Sequence, residues 1–254
     1  MIDLVKYLSE RPYPGRGILL GAGHNGTWAQ SVAAYFIMGR SENSRNRIFE
    51  ETEDGIRTRA FDESKMTDPS LIIYHPVRMV GTDLIVTNGD QTDTIRDCLV
   101  QGRTFEDALR TREYEPDEPN WTPRISGILN RQGSYRLSIL KEGQDRLCQR
   151  QFFEYQARYG LGHLITTYEG YGDPQPSFHG EPVQVHLDAP NADALADQIW
   201  DSLDKENRVS LFVCYIDRRN GFSETVIINK HGQRTHSAPK TPVWQKGGNL
   251  DGTL

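Results

Sequence analysis

Three clusters carry residue types that suit anion binding or proton transfer. The first is Gly39-Arg40-Ser41-Glu42-Asn43-Ser44-Arg45-Asn46-Arg47, which follows directly on an apolar run. Guanidinium forks match phosphate oxygens in pairs, and Ser and Asn add neutral donors. The plain reading is a solvated charged loop, because neither GxGxxG nor GxxxxGK[ST] accompanies it. The second is Thr87-Asn88-Gly89-Asp90-Gln91-Thr92-Asp93, a strand end turning into a helix start. Amides at such a junction attract anions, although capping alone explains the same residues. The third is Glu113-Tyr114-Glu115-Pro116-Asp117-Glu118, continuing through Pro119-Asn120-Trp121-Thr122-Pro123-Arg124. Repulsion or burial in an acidic, proline-stiffened loop can raise one carboxyl toward the range of acid–base work. An exposed acidic turn is the simpler alternative.

Tyr74 interrupts an apolar run and is either core or a hydroxyl offered to a ligand. The histidines show no metal-ligand spacing, so no metal is expected. No GxSxG elbow occurs, and no Cys, Ser or Thr near Met1 could act as an N-terminal nucleophile. Tyr168-Glu169-Gly170-Tyr171-Gly172 and Phe178-His179-Gly180 could form an aromatic wall or an ordinary loop.

Strands must hold these groups. Runs at 17–21 and 30–39 suggest one hairpin, and Leu71–Val80 with Leu84–Thr87 a second. Residues 43–66 are polar, with only a weak strand at 56–60. Helices are expected from Thr92 or Asp93 to Gln101, over 104–112 and over 192–203. Further strands are expected at 124–129, 134–141, 146–155, 163–168, 183–187, 209–216 and 224–228, with a long loop over 170–182. Strands in runs with few helices indicate an α+β fold in a single domain over 1–254, with a polar tail from 230.

The chain has 254 residues and a net charge of −6, which argues against a nucleic-acid polymer as partner. Three scattered cysteines without a CxxC predict a cytoplasmic protein rather than a disulfide framework. The longest apolar run is too short to span a bilayer.

In order along the chain, these motifs resemble the archaeal-type inosine monophosphate (IMP) cyclohydrolase family. The matching pieces are Gly39-Arg40-Ser41 with Asn43, Arg45 and Arg47, then Ile72-Ile73-Tyr74, then Val86-Thr87-Asn88-Gly89 with Thr92-Asp93. The most specific is Tyr114-Glu115-Pro116-Asp117-Glu118 with Thr122-Pro123-Arg124-Ile125. Beyond Leu140 the likeness is diffuse, and residues 1–14 read as an N-terminal extension. The resemblance implies a four-layer α/β/β/α sandwich like that of N-terminal-nucleophile hydrolases, without autoprocessing. It implies closure of 5-formamidoimidazole-4-carboxamide ribonucleotide to IMP with loss of water, the last step of purine synthesis. It also implies no metal or organic cofactor, and a homo-oligomer.

For that chemistry the resemblance points to Tyr74 and Glu115 as proton-transfer groups, Glu118 as the rival carboxylate, and Arg124 orienting the acids. Arg40, Ser41, Asn43, Arg45 and Arg47 would grip phosphate or ribose. Asn88, Gly89 and Asp93 would line the base or ribose pocket. The alternative is a purine-nucleotide sensor that uses the same pocket without turnover.

Overall fold

A computed structural model describes residues 1–24, 29–66 and 73–237. It is an α+β structure with two antiparallel sheets and few helices. The first sheet contains β1 (Arg16–His24), β2 (Ala29–Met38), β10 (Leu161–Thr166), β11 (Val183–His186), β12 (Arg208–Asp217), β13 (Ser223–Asn229) and β14 (Thr235–Ser237). Their spatial order is β11-β10-β1-β2-β12-β13-β14. The second sheet runs in chain order: β3 (Arg47–Thr52), β4 (Gly55–Ala60), β5 (Val77–Val80), β6 (Asp83–Thr87), β7 (Arg124–Leu129), β8 (Tyr135–Glu142) and β9 (Cys148–Tyr155).

Side-chain alternation makes each central strand two-faced. Ile18, Leu20, Tyr35, Ile37, Phe212 and Cys214 point from the first sheet into a core shared with Val86, Ile125, Leu137 and Ile139 of the second. The intervening Leu19, Ala34, Phe36, Leu211 and Val213 face outward. They pack with Leu4 and Leu8 of α1 (Leu4–Ser9) and Leu195 and Ile199 of α5 (Ala192–Ser202). On the far face of the second sheet, Ile85, Ile128 and Leu140 meet α3 (Gln91–Val100) and α4 (Phe105–Arg110). Gly127 faces inward, where a Cβ would lie 2.8 Å from Leu20; its bare backbone lets the sheets close. Both central strands are buried on two faces, so they read as continuous apolar runs. Among the described residues, no helix is long and apolar enough to cross a membrane.

Three expectations are corrected. The strand expected over Leu71–Val80 begins only at Val77; residues 73–76 are irregular, and Leu71 and Ile72 lie outside the described residues. The polar stretch 43–66 holds not only the strand expected at 56–60, β4, but also α2 (Glu42–Arg45) and β3, which pairs with β4. Their alternation was hidden by charge on the solvent face, where Arg57 pairs with Glu50 across the ladder. The cap of α3 is Asp90, not Thr92 or Asp93, and its carboxylate is turned away to arginines.

Candidate active site

Antiparallel register brings several strand termini to one end of the two sheets. β1 and β3 begin there with Arg16 and Arg47, and β7 begins with Arg124. β2 ends there at Met38, paired beside β1, and β10 ends at Thr166 opposite Gly17. A cavity of about 280 Å³ opens at this end. Arg16, Arg40, Ser41, Asn43, Ser44 and Arg47 line one side; Glu115, Asp117, Asn120 and Thr122 line the other, with Tyr13 and Tyr168 between them.

The cationic side is held by local backbone logic. Ser41 caps α2 through a reciprocal bond pair with Ser44, which fixes the turn carrying Arg40 and Asn43. Arg47 is buried and donates from Nε to the Ser44 carbonyl at 3.0 Å. Gly15 adopts a φ of +79°, and a Cβ there would collide with Thr167, so glycine is needed to deliver Arg16 to the rim. Arg40 lies 4.7 Å above the Tyr13 ring, which in turn stacks on Tyr168 at 6.1 Å. Among the described residues, Arg16, Arg40 and Arg47 form no ion pair with a carboxylate. The Arg16 Nε and Asn43 Oδ1 atoms are buried without hydrogen-bond partners. Both residues line the cavity, where a bound ligand or water can supply the missing bonds.

Glu115 is buried, with its amide donating to the Thr122 carbonyl at 2.9 Å. Burial raises its carboxyl above the usual range; Arg16 and Arg124 pull it down and Asp117 pushes it up. Tyr74 does not line the cavity. Its hydroxyl shares a 2.9 Å hydrogen bond with Tyr35 beneath it, and its backbone amide donates to Thr58 Oγ1 at 2.9 Å. Burial raises the Tyr74 phenol, against the pull of Arg47 and Arg16, so it is a neutral donor at neutral pH. Burial lowers Arg47, and the neighbouring Arg16 adds to this. Burial also opposes the charge on Arg16, but Glu115 and the surrounding tyrosines override it and raise its basicity.

The structure therefore gathers Arg40, Ser41, Asn43, Arg47 and Glu115 around one cavity, with Tyr74 below. Arg124 stands behind Glu115, held by Asp90 Oδ1 at 2.7 Å and Gln91 Oε1 at 2.8 Å. Gly89 lies against this pair: a Cβ would sit 2.6 Å from Arg124 Nη1 and 3.5 Å from Glu115 Oε1. Asn88 is buried and spends its side chain on Pro123, Ile125 and Gln91, which locks the loop. Arg45 faces the other side of α2, bonded to the Gly39 carbonyl and Asn207. Asp93 pairs with Arg78 at 2.8 Å, and Glu118 is exposed outside the cavity. Sequence reasoning missed Tyr13 and Arg16, which sit in and beside the segment read as an extension. The available signal was an arginine between two glycines at the mouth of a buried strand.

Comparison with known proteins places this constellation. The family described as IMP cyclohydrolase-like protein matches residues 13–221, a span containing every cavity residue. The chain belongs to this family. A relative from Methanococcus aeolicus, named IMP cyclohydrolase, is 29% identical over 62% of this chain and 74% of its own length. Others of that name, from Methanosphaera stadtmanae and Methanopyrus kandleri, are 28% and 31% identical. They cover 71% and 63% of this chain, and 81% and 77% of their own lengths. The family match extends past the first half of the chain, where the motifs lie, to Gly221 in the turn between β12 and β13.

Proposed function

We propose that this chain is an IMP cyclohydrolase that closes 5-formamidoimidazole-4-carboxamide ribonucleotide to IMP with loss of water. The observation that carries this is a trio of arginines without an ion-paired carboxylate, sharing one cavity with a buried Glu115 whose carboxyl burial pushes up toward proton exchange. Arg40, Ser41, Asn43 and Ser44 receive the phosphate. Arg16 and Arg47 face the developing oxyanion.

Nucleophile and electrophile share one substrate, so the cavity needs only to hold the closed conformer. The carboxamide nitrogen attacks the formyl carbon and passes a proton to Glu115. The former formyl oxygen, whose negative charge the two arginines stabilise, takes a proton from Tyr74 by way of one cavity water, since Tyr74 lies outside the cavity lining. Glu115 then returns its proton to the departing hydroxyl, which leaves as water. The formamido N–H proton restores Tyr74 as the C=N bond forms. Arg124 orients Glu115, and Gly89 gives the acid room.

The reading extends to a single domain over 1–254 and to the four-layer sandwich of N-terminal-nucleophile hydrolases without autoprocessing. Helix pairs outside two facing sheets support the latter. A cytoplasmic homo-oligomer is part of the same reading, supported by the free cysteines and the family resemblance; light scattering tests the oligomer. The activity is tested by incubating the protein with the formamido ribonucleotide and weighing the product. Loss of one water to give IMP is expected; unchanged substrate at high enzyme concentration refutes the assignment.

A further inference from the structure

We propose that Asp117 is a positioning residue for Glu115: a hydrogen-bonded chain from Tyr168 through Thr122 pins a second negative charge beside Glu115 and tunes it for proton exchange. This rests on the cyclohydrolase reading for the identity of the reaction, but not for the tuning itself. Thr122 is the common anchor. Its carbonyl accepts from the Glu115 amide, its amide donates to Asp117 Oδ1 at 2.7 Å, and its hydroxyl donates to Asp117 Oδ2. A threonine hydroxyl has one proton to give. Tyr168 must therefore be the donor in its 2.8 Å contact with Thr122 Oγ1.

The chain spans both sheets. Tyr168 follows β10 of the first, and Thr122 precedes β7 of the second. Among the described residues, Asp117 has no cationic partner within ion-pair distance, so its charge stays uncompensated at the cavity wall. The groups acting on Glu115 come from every neighbouring element. Arg16 of β1, Arg47 of β3 and Arg124 of β7 favour its ionised form, and Tyr74 and Tyr168 are neutral phenols. Burial and Asp117 act in the opposite direction. Removing the Asp117 charge while keeping its shape leaves the three cations opposed by burial alone, and Glu115 releases its proton at lower pH.

The test is a carboxyl-carbon NMR titration of protein labelled at glutamate, with the Glu115 signal assigned by its loss in Glu115→Gln. Asp117→Asn should move the Glu115 midpoint to lower pH. Thr122→Val frees one Asp117 oxygen and should move it the same way by less; Thr122→Ser should restore it. The same ordering is expected in the acidic limb of kcat against pH. The plateau loss in Asp117→Asn should fall short of the about 10²–10⁴-fold typical of removing a proton-transfer group. A Glu115 midpoint that stays put in a folded Asp117→Asn protein overturns the proposal, and Thr122→Val carries the comparison if Asp117→Asn does not fold. A midpoint that moves in a protein that never produces IMP supports the Asp117 role and refutes the cyclohydrolase reading.

Discussion

Two groups of arginines, one ion-paired and one not, do opposite work. Behind the cavity, Arg124 and Arg112 converge on Asp90, while Arg78 bridges Asp54 and Asp93. In front of it, Arg16, Arg40 and Arg47 have no carboxylate partner among the described residues. The paired group spends its charge inside the protein and fixes β5, α3 and the start of β7. The unpaired group keeps its charge for something that arrives. Charge counting alone cannot separate them, since the chain is net acidic. What separates them is whether the neighbouring acids are committed, and Glu115 is the point where the groups meet.

The comparison breaks most sharply at that point. Glu115→Gln and Tyr74→Phe should each lower kcat by about 10²–10⁴-fold while ribonucleotide binding persists, read by steady-state kinetics and calorimetry. Loss of binding with an unchanged rate would assign both residues to recognition instead. Arg40→Ala, on the unpaired side, should weaken ribonucleotide affinity about 10–100-fold with little change in melting temperature, as for loss of a charge-assisted hydrogen bond. On the paired side, Asp90→Ala should do the reverse. Asp90 is half-exposed, so solvent screening limits the loss to about 1 kcal/mol. That is about 2–4 °C in melting temperature for a chain of this size, with affinity near wild type.

The last effect touches stability and leaves the reaction untouched. His163 of β10 shares a 2.7 Å hydrogen bond with Tyr135 and stacks on Tyr155 at 3.6 Å. Burial pushes it from about 6.5 down to about 4. Between those values the unfolded chain binds the proton and the folded one does not, so stability falls as pH drops from 6.5 to 4. His163→Gln should flatten that part of a melting-temperature profile without touching substrate affinity.

Much of this was legible beforehand. The apolar runs of β1, β2, β7 and β12 announce buried strands, and Thr104 and Asn191 mark helix starts where the capping bonds form. Arg40 and Asn43 could be nominated from residue type and spacing, and Glu115 from the family resemblance. What could not be read is three-dimensional pairing. Asp93 and Arg45 sit in the right segments, yet their partners, Arg78 and Asn207, come from distant sequence. Arg16 looks like an ordinary strand residue until the register of β1 with β10 and β2 brings it to the cavity. The β3 strand was obscured because its exposed charges are cross-strand partners, visible only once the ladder forms.

The most direct test of the central claim compares wild type with Glu115→Gln under the same conditions. Each is mixed with the formamido ribonucleotide, and the ultraviolet absorbance of IMP is followed while binding is measured in parallel. The account predicts steady IMP formation by wild type and a nearly flat trace from the variant, with comparable affinity for the ribonucleotide. A flat wild-type trace, or a variant that turns over at the wild-type rate, would contradict it.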